Sequence, residues 1–261
     1  MAKNTKIEWC DATVNLWWGC AKAHTGCKNC YAEYFSDVRY KKGLWGEKAL
    51  RRRIMSAFKD LAKYQKEAEK ENKKTVIFCG SMMDIFEDTK NLNNPSIGYK
   101  TTNDLREELF CKISEGLYDN LVFLFLTKRP YNIQKYVPKQ WVKQPKNVWY
   151  GTSVSDSATA AEYAFDLQHC MGKDQKLFLS IEPQVGAIDN LELSANEMRS
   201  EISWVIQGGE SGHGRRPFNV GWAYTMRDLC KEAGVPYFFK QIDKKTPVPE
   251  DLKMELGFPK F

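Results

Sequence analysis

Long hydrophobic runs are missing from this 261-residue chain. Runs such as Leu121 to Leu126 and Trp204 to Ile206 fall far short of the ~18 residues that a membrane-spanning helix needs. Behind Met1 to Lys6 there is no apolar targeting core, so a cytoplasmic protein with no membrane partner is expected. Composition breaks, low-complexity linkers and internal repeats are absent too, which predicts one domain over residues 1–261. A chain of this size with 43% apolar residues buries roughly 70 to 75% of its unfolded surface and needs no disulfides to stay folded. Charge of one sign is only in slight excess, at a formal net of +6. The basic segments Lys48 to Arg53 and Lys66 to Lys74 are compatible with nucleic acid, although such runs are more often a solvated helix face.

Cysteine is well represented. Cys79, Cys111, Cys170 and Cys230 stand singly among apolar residues and are expected to be reduced core thiols. Cys10, Cys20, Cys27 and Cys30 cluster, and the last three form Cys20-x6-Cys27-x2-Cys30 in one short loop, preceded by Gly19 and followed by Tyr31. A structural zinc is normally closed by four protein ligands, whereas an iron–sulfur cluster can be held by thiolates and leave one iron open to a small molecule. Cys10 could be a fourth ligand, a hydrogen-atom donor or an inert thiol beside Trp9. The spacing Cys-x9-Cys-x6-Cys-x2-Cys lacks the two close pairs of zinc ribbons and favours the three-ligand cluster. His24 could ligate metal or face solvent, and His213, beside Arg215 and Arg216, could contact phosphate or sit on the surface.

Short apolar runs recur at Thr75 to Cys79, Leu121 to Leu126, Asn147 to Tyr150, Lys176 to Ile181, Trp204 to Gln207 and Pro236 to Phe239, with amphipathic segments of helical length between them. This rhythm predicts an α/β fold with a parallel sheet. A first strand within Ala12 to Trp18 gives six or seven strands, enough for a partial or complete (β/α) barrel. The runs end in Gly80-Ser81-Met82-Met83-Asp84, Thr127-Lys128-Arg129, Gly151-Thr152-Ser153, Glu182-Pro183, Gly208-Gly209-Glu210 and Lys240-Gln241. Ligands bind at the carboxyl ends of parallel strands, so these groups are expected to converge on one mouth below the cysteine loop. They suit a zwitterionic, nucleoside-bearing sulfonium. Lys128 and Arg129 offer cations for its carboxylate, and Asp84, Glu182 and Glu210 offer acceptors for its ammonium and hydroxyls.

With these residues in place the chain resembles the radical S-adenosylmethionine superfamily, whose cluster loop follows the first strand of a partial (β/α)6 barrel. It looks more closely like a phage-encoded three-cysteine family of unknown function, through the cysteine segment, Lys6-Ile7-Glu8-Trp9, Phe178-x-Ser180-Ile181-Glu182-Pro183, Trp204-Val205-Ile206-x-Gly208-Gly209-Glu210-Ser211-Gly212 and Phe238-Phe239-Lys240-Gln241. Gly80-Ser81-x2-Asp84 and Leu126-Thr127-Lys128 are similar to strand ends of the spore photoproduct lyase group. Two departures stand out: the first cysteine gap is six residues where three is usual, and Gly208-Gly209-Glu210 ends a late strand rather than the second.

The resemblance implies that Cys20, Cys27 and Cys30 ligate a [4Fe-4S] cluster, and that Tyr31, Ser81, Asp84, Lys128, Ser153 and Glu182 bind S-adenosyl-L-methionine, with Tyr31 near the adenine. Cys10 and Glu210 are the candidate catalytic residues. It implies a 5′-deoxyadenosyl radical, an external electron donor such as a flavodoxin or ferredoxin, and a nucleic acid or nucleotide substrate. An example is rearrangement of an amino-acid adduct on thymine during phage DNA modification, in the cytoplasm of the infected host. Trp17, Trp18, Trp45, Arg215 and Arg216 are candidate stacking and phosphate contacts. A radical enzyme acting on a peptide or metabolite, and a non-catalytic zinc-stabilised nucleic-acid-binding protein, are the other two readings.

Overall fold

The computed structural model describes residue 5 and residues 7–170, 174–189, 191–194, 200–212, 214–254 and 257–261. Its centre is a curled, seven-stranded parallel sheet. Eleven strands are described: β1 Ala12–Val14, β2 Trp17–Trp18, β3 Arg52–Arg53, β4 Thr75–Cys79, β5 Asn91–Ser96, β6 Tyr99–Thr101, β7 Leu121–Thr127, β8 Val148–Ser153, β9 Leu177–Ile181, β10 Ile202–Gly208 and β11 Tyr237–Gln241. The large sheet runs β1-β4-β7-β8-β9-β10-β11, with every neighbouring pair parallel. The six apolar runs all became strands of this sheet, and the expected first strand supplies β1. The rest of that segment, Trp17–Trp18, pairs antiparallel with Arg52–Arg53 in a separate ribbon.

Period-two alternation divides the sheet into two faces. Ile77, Phe123, Phe125, Tyr150 and Leu179 join the outer core with helical residues such as Leu61, Leu109, Leu167 and Met226. Their alternates Val76, Phe78, Val122, Leu124, Trp149, Phe178, Trp204, Ile206 and Phe238 fill the opposite face together with Trp9. The curl brings side chains of that inner face together. At Gly151 a Cβ would lie 2.3 Å from the Phe178 ring, so only glycine lets the ring take this position.

The helices cover the outer face. Ala57–Lys70 presents Leu61, Tyr64 and Ala68, and Thr102–Ser114 starts at a capping box in which Thr101 and Asp104 satisfy each other's backbone N–H groups. Val220–Ala233 begins at Asn219, whose side chain accepts from Gly221 N–H, and stops at Gly234 with φ +68°. Cys79, Cys170 and Cys230 are buried free thiols as expected. Cys111 is not: it sits exposed on the Thr102–Ser114 helix with its Sγ 3.2 Å from Glu115. No described helix is long and apolar enough to cross a membrane.

Candidate active site at the carboxyl edge of the sheet

Because all seven strands are parallel, their carboxyl ends share one edge, and a cavity of about 180 Å³ opens there. Cys20, Cys27, Cys30 and Tyr31 line one side of it. Ser81, Asp84, Lys128, Ser153, Glu182 and Glu210 line the other. Alternation explains the polarity: the inner-face series Val122, Leu124, Leu126 continues to Lys128, Trp149 and Gly151 to Ser153, Phe178 and Ser180 to Glu182, and Phe238 to Lys240. The inner face thus turns from apolar to polar towards the mouth. Typical ligand pockets hold roughly 300 to 1,000 Å³, so this cavity by itself is smaller than a typical ligand pocket.

The cysteine loop is clamped onto four strand ends. Gly19, with φ +117°, approaches Leu44 O so closely that a Cβ would lie 2.5 Å from it, and its N–H donates to Met82 O at 3.1 Å. His24 caps the turn Thr25–Cys27 by accepting from Gly26 N–H at 3.0 Å. A Cβ on Gly26 would fall 2.2 Å from Ser155 Oγ. Arg129 donates to Ala21 O at 2.9 Å, Tyr31 Oη to Ser81 O at 2.7 Å, and Asn29 Nδ2 to Glu210 Oε2 at 2.9 Å. Arg216 Nη1 donates to Thr25 O at 3.0 Å.

Charge placement sorts the predicted residues. Asp84 is buried, and its four acceptor positions are taken: Oδ1 by Phe86 N–H and Thr127 Oγ1, Oδ2 by Lys128 N–H and Arg129 Nη1. It therefore has no lone pair left for a cofactor ammonium. Glu210 is likewise enclosed, by Asn29 and by Arg216 from its backbone N–H, Nε and Nη2. Burial pushes the Glu210 carboxyl up, but these donors outweigh it and hold the group below the usual range. Glu182 pairs with Lys240 Nζ at 2.5 Å. Lys128 Nζ donates to Ser153 Oγ at 3.1 Å and has no carboxylate partner among the described residues.

Burial raises the thiols of Cys20 and Cys30 above the ordinary value. Ala23 N–H points at Cys27 Sγ from 3.5 Å. Cys10 does not line the cavity. It packs against the inner-face core beside Trp9, its Sγ is 3.8 Å from Ile7 O, and burial pushes its pKa up to about 12. Among the described residues no three His, Cys, Asp or Glu side chains are disposed around a single metal-ion position.

Other expectations are redrawn. Trp17 is fully buried and cannot stack on a substrate, Trp18 packs edge-on against Phe35, and Trp45 does line the cavity. Arg215 is paired with Asp243 and Arg216 with Glu210, so neither is a free phosphate contact. His213 lies outside the described residues. Sequence reasoning missed Asn29 and Lys240 as individual site residues; the strand-end position of Lys240 was the available signal.

No curated protein matches the chain, and no solved structure does. A family model matches residues 4–253, nearly the full length, and the chain belongs to the family it describes, a protein of unknown function (DUF5131).

Proposed function

We propose that this protein is a radical S-adenosylmethionine enzyme whose Cys20, Cys27 and Cys30 hold a [4Fe-4S] cluster. One observation carries the reading: three thiols of one loop share a cavity with the polar ends of parallel strands in a curled sheet. The donor set fits. Three thiols of one loop lining one cavity can each ligate a separate iron of a cluster and leave the fourth iron open, whereas a structural zinc is normally closed by four protein ligands. When bound, cluster and S-adenosylmethionine supply one-electron cleavage of a sulfonium and hydrogen abstraction from a substrate.

The chain's own residues bind and orient. Lys128 offers the cofactor carboxylate a cation that no carboxylate has claimed, Ser153 fixes its direction, and the Glu182–Lys240 pair presents an acceptor beside a donor for ammonium or ribose hydroxyls. Asp84 and Glu210 hold the loop instead of touching the cofactor. Trp9, Phe78 and Leu126 line the apolar side of the cavity, against the inner-face core, and exclude water there. The substrate implied by the resemblance, a nucleobase in phage DNA modification or repair, and an external flavodoxin- or ferredoxin-type donor belong to the same proposal.

Anaerobic reconstitution with iron and sulfide tests it. About four irons per chain, a broad absorbance bleached by dithionite, and release of 5′-deoxyadenosine from S-adenosylmethionine are expected. Cys20→Ala, Cys27→Ala and Cys30→Ala each lose the iron, while Cys10→Ala keeps it. Stoichiometric zinc without iron would replace this reading with the zinc-stabilised one.

A further inference from the structure

Residues 39–53 hold seven basic residues and one acid, a local net of +6, which equals the formal net charge of the entire chain. The other residues therefore balance, and the excess sits in one lobe. Arg39, Lys41, Lys42, Lys48 and Arg52 are exposed, and none has a carboxylate partner among the described residues. The basic stretch of the Ala57–Lys70 helix and its exit is different. There Glu67, Glu69 and Glu71 interleave with the lysines, and Lys63 and Lys73 pair with Glu67 and Glu71, as on an ordinary solvated face.

The lobe is pinned in place. Arg51 is fully buried, ion-paired with Glu87 at 2.6 Å and bonded to the carbonyls of Leu44, Gly46 and Ala49. Asp37 receives Leu44 N–H and Trp45 N–H, both at 2.9 Å. Like charges are thus held together on a fixed frame, an arrangement that self-repulsion opposes unless an anion meets it. The frame also adjoins the mouth, since Trp45 lines the cavity and bridges to Cys20.

Aromatic rings stand beside these cations. The helix Tyr31–Glu33 continues as a π-helix over Tyr34–Arg39, and Tyr31, Tyr34 and Tyr40 are 55%, 55% and 46% exposed. Tyr31 borders the cavity with its hydroxyl fixed on Ser81 O, so the exposed rings start at the lip and run outward among unpaired cations. Cations that follow a phosphate backbone, combined with rings on which bases stack, are how proteins hold a single strand. Every base of a strand offers a π-face to such a ring, whereas an acidic peptide need meet only the charges.

We propose that residues 31–53 form the docking surface for single-stranded nucleic acid and lead the strand to the cavity. This deepens the enzyme reading, and rests on it only for the destination of the strand.

Fluorescence anisotropy with the full chain and a fluorescein-labelled 12-nucleotide oligothymidylate, from 50 to 200 mM salt, tests it. Binding is expected to weaken with salt at a log–log slope of about −3.5 if all five cations meet phosphates, at about 0.7 per contact. The triple variant Lys41→Glu, Lys42→Glu, Arg52→Glu should bind at least tenfold more weakly with the slope reduced by about two, its thermal midpoint unchanged. Tyr34→Ala should weaken binding about tenfold with the slope intact. No binding at 50 mM salt, equal binding by the triple variant, or displacement by polyglutamate as effective as by unlabelled strand would overturn the proposal. Strand binding without 5′-deoxyadenosine release removes the enzyme reading alone; release without strand binding removes the docking surface alone.

Discussion

Arg129 reaches from the end of β7 to Asp84 beyond the end of β4, with Nη1 2.9 Å from Oδ2, and its Nη2 donates to Ala21 O at the same distance. Both side chains are buried. A buried ion pair adds little stability by itself, because desolvation offsets the Coulomb attraction, but its remaining hydrogen bonds can fix a geometry. Here they join two strand ends to the loop that carries Cys20. Two residues that composition alone offers to a cofactor instead serve as the frame on which the thiols are mounted.

Asp84→Asn is therefore expected to destabilise the fold by about 3–5 kcal/mol, since it leaves the Arg129 charge buried without its counterion. Urea unfolding reads the loss directly, and iron bound per chain after reconstitution should fall with it. An unchanged midpoint and full iron loading would show that the loop is held by its other contacts.

Acid should loosen the same loop through His24. Its Nδ1 accepts from Gly26 N–H, which puts the ring proton on Nε2, and burial together with nearby Lys128 drives its pKa down to about 3. The unfolded chain protonates this ring near pH 6.5, so between about pH 6.5 and 3 it binds more protons than the folded one. The stabilising contribution is complete above 6.5 and declines as the pH falls through that window. His24→Asn keeps an acceptor suited to the cap without a titrating group, and urea midpoints from pH 7 to 4.5 should fall less steeply for it than for the parent. Equal slopes would place the acid sensitivity elsewhere.

How much of this was readable beforehand follows from the range of each interaction. Parallel strands covered on both faces are continuous apolar runs, so β4 and β7 stand out in the sequence, and the two-residue period then places Lys128, Ser153 and Glu182 on one face. The ribbons β2–β3 and β5–β6 left no such trace. Two residues make no period, and β5 reads Asn-Leu-Asn-Asn-Pro-Ser, closer to a turn than a strand. Cys111 and Cys230 look alike in sequence, and only the face of the helix that each occupies separates an exposed thiol from a buried one. The clamp was hidden for another reason: Arg129 binds a backbone carbonyl 108 residues away, and a carbonyl has no residue type to betray it.

The sharpest test of the cavity concerns Lys128. Its neighbours in the site are already balanced: Lys22 pairs with Glu33, Lys240 with Glu182, Arg129 with Asp84 and Arg216 with Glu210. Lys128 alone among these cations is met only by a hydroxyl, that of Ser153, and so its charge is available to an incoming carboxylate. A charge-assisted hydrogen bond contributes about 1.5–3 kcal/mol, so Lys128→Ala should weaken S-adenosylmethionine binding to reconstituted protein by roughly ten- to 150-fold in a calorimetric titration. Ser153→Ala removes the hydroxyl but leaves the cation, and should cost far less. If both variants lose affinity equally, the ammonium serves to position Ser153 rather than to bind the proposed cofactor's carboxylate, and if neither does, the proposed cofactor site at Lys128 is wrong.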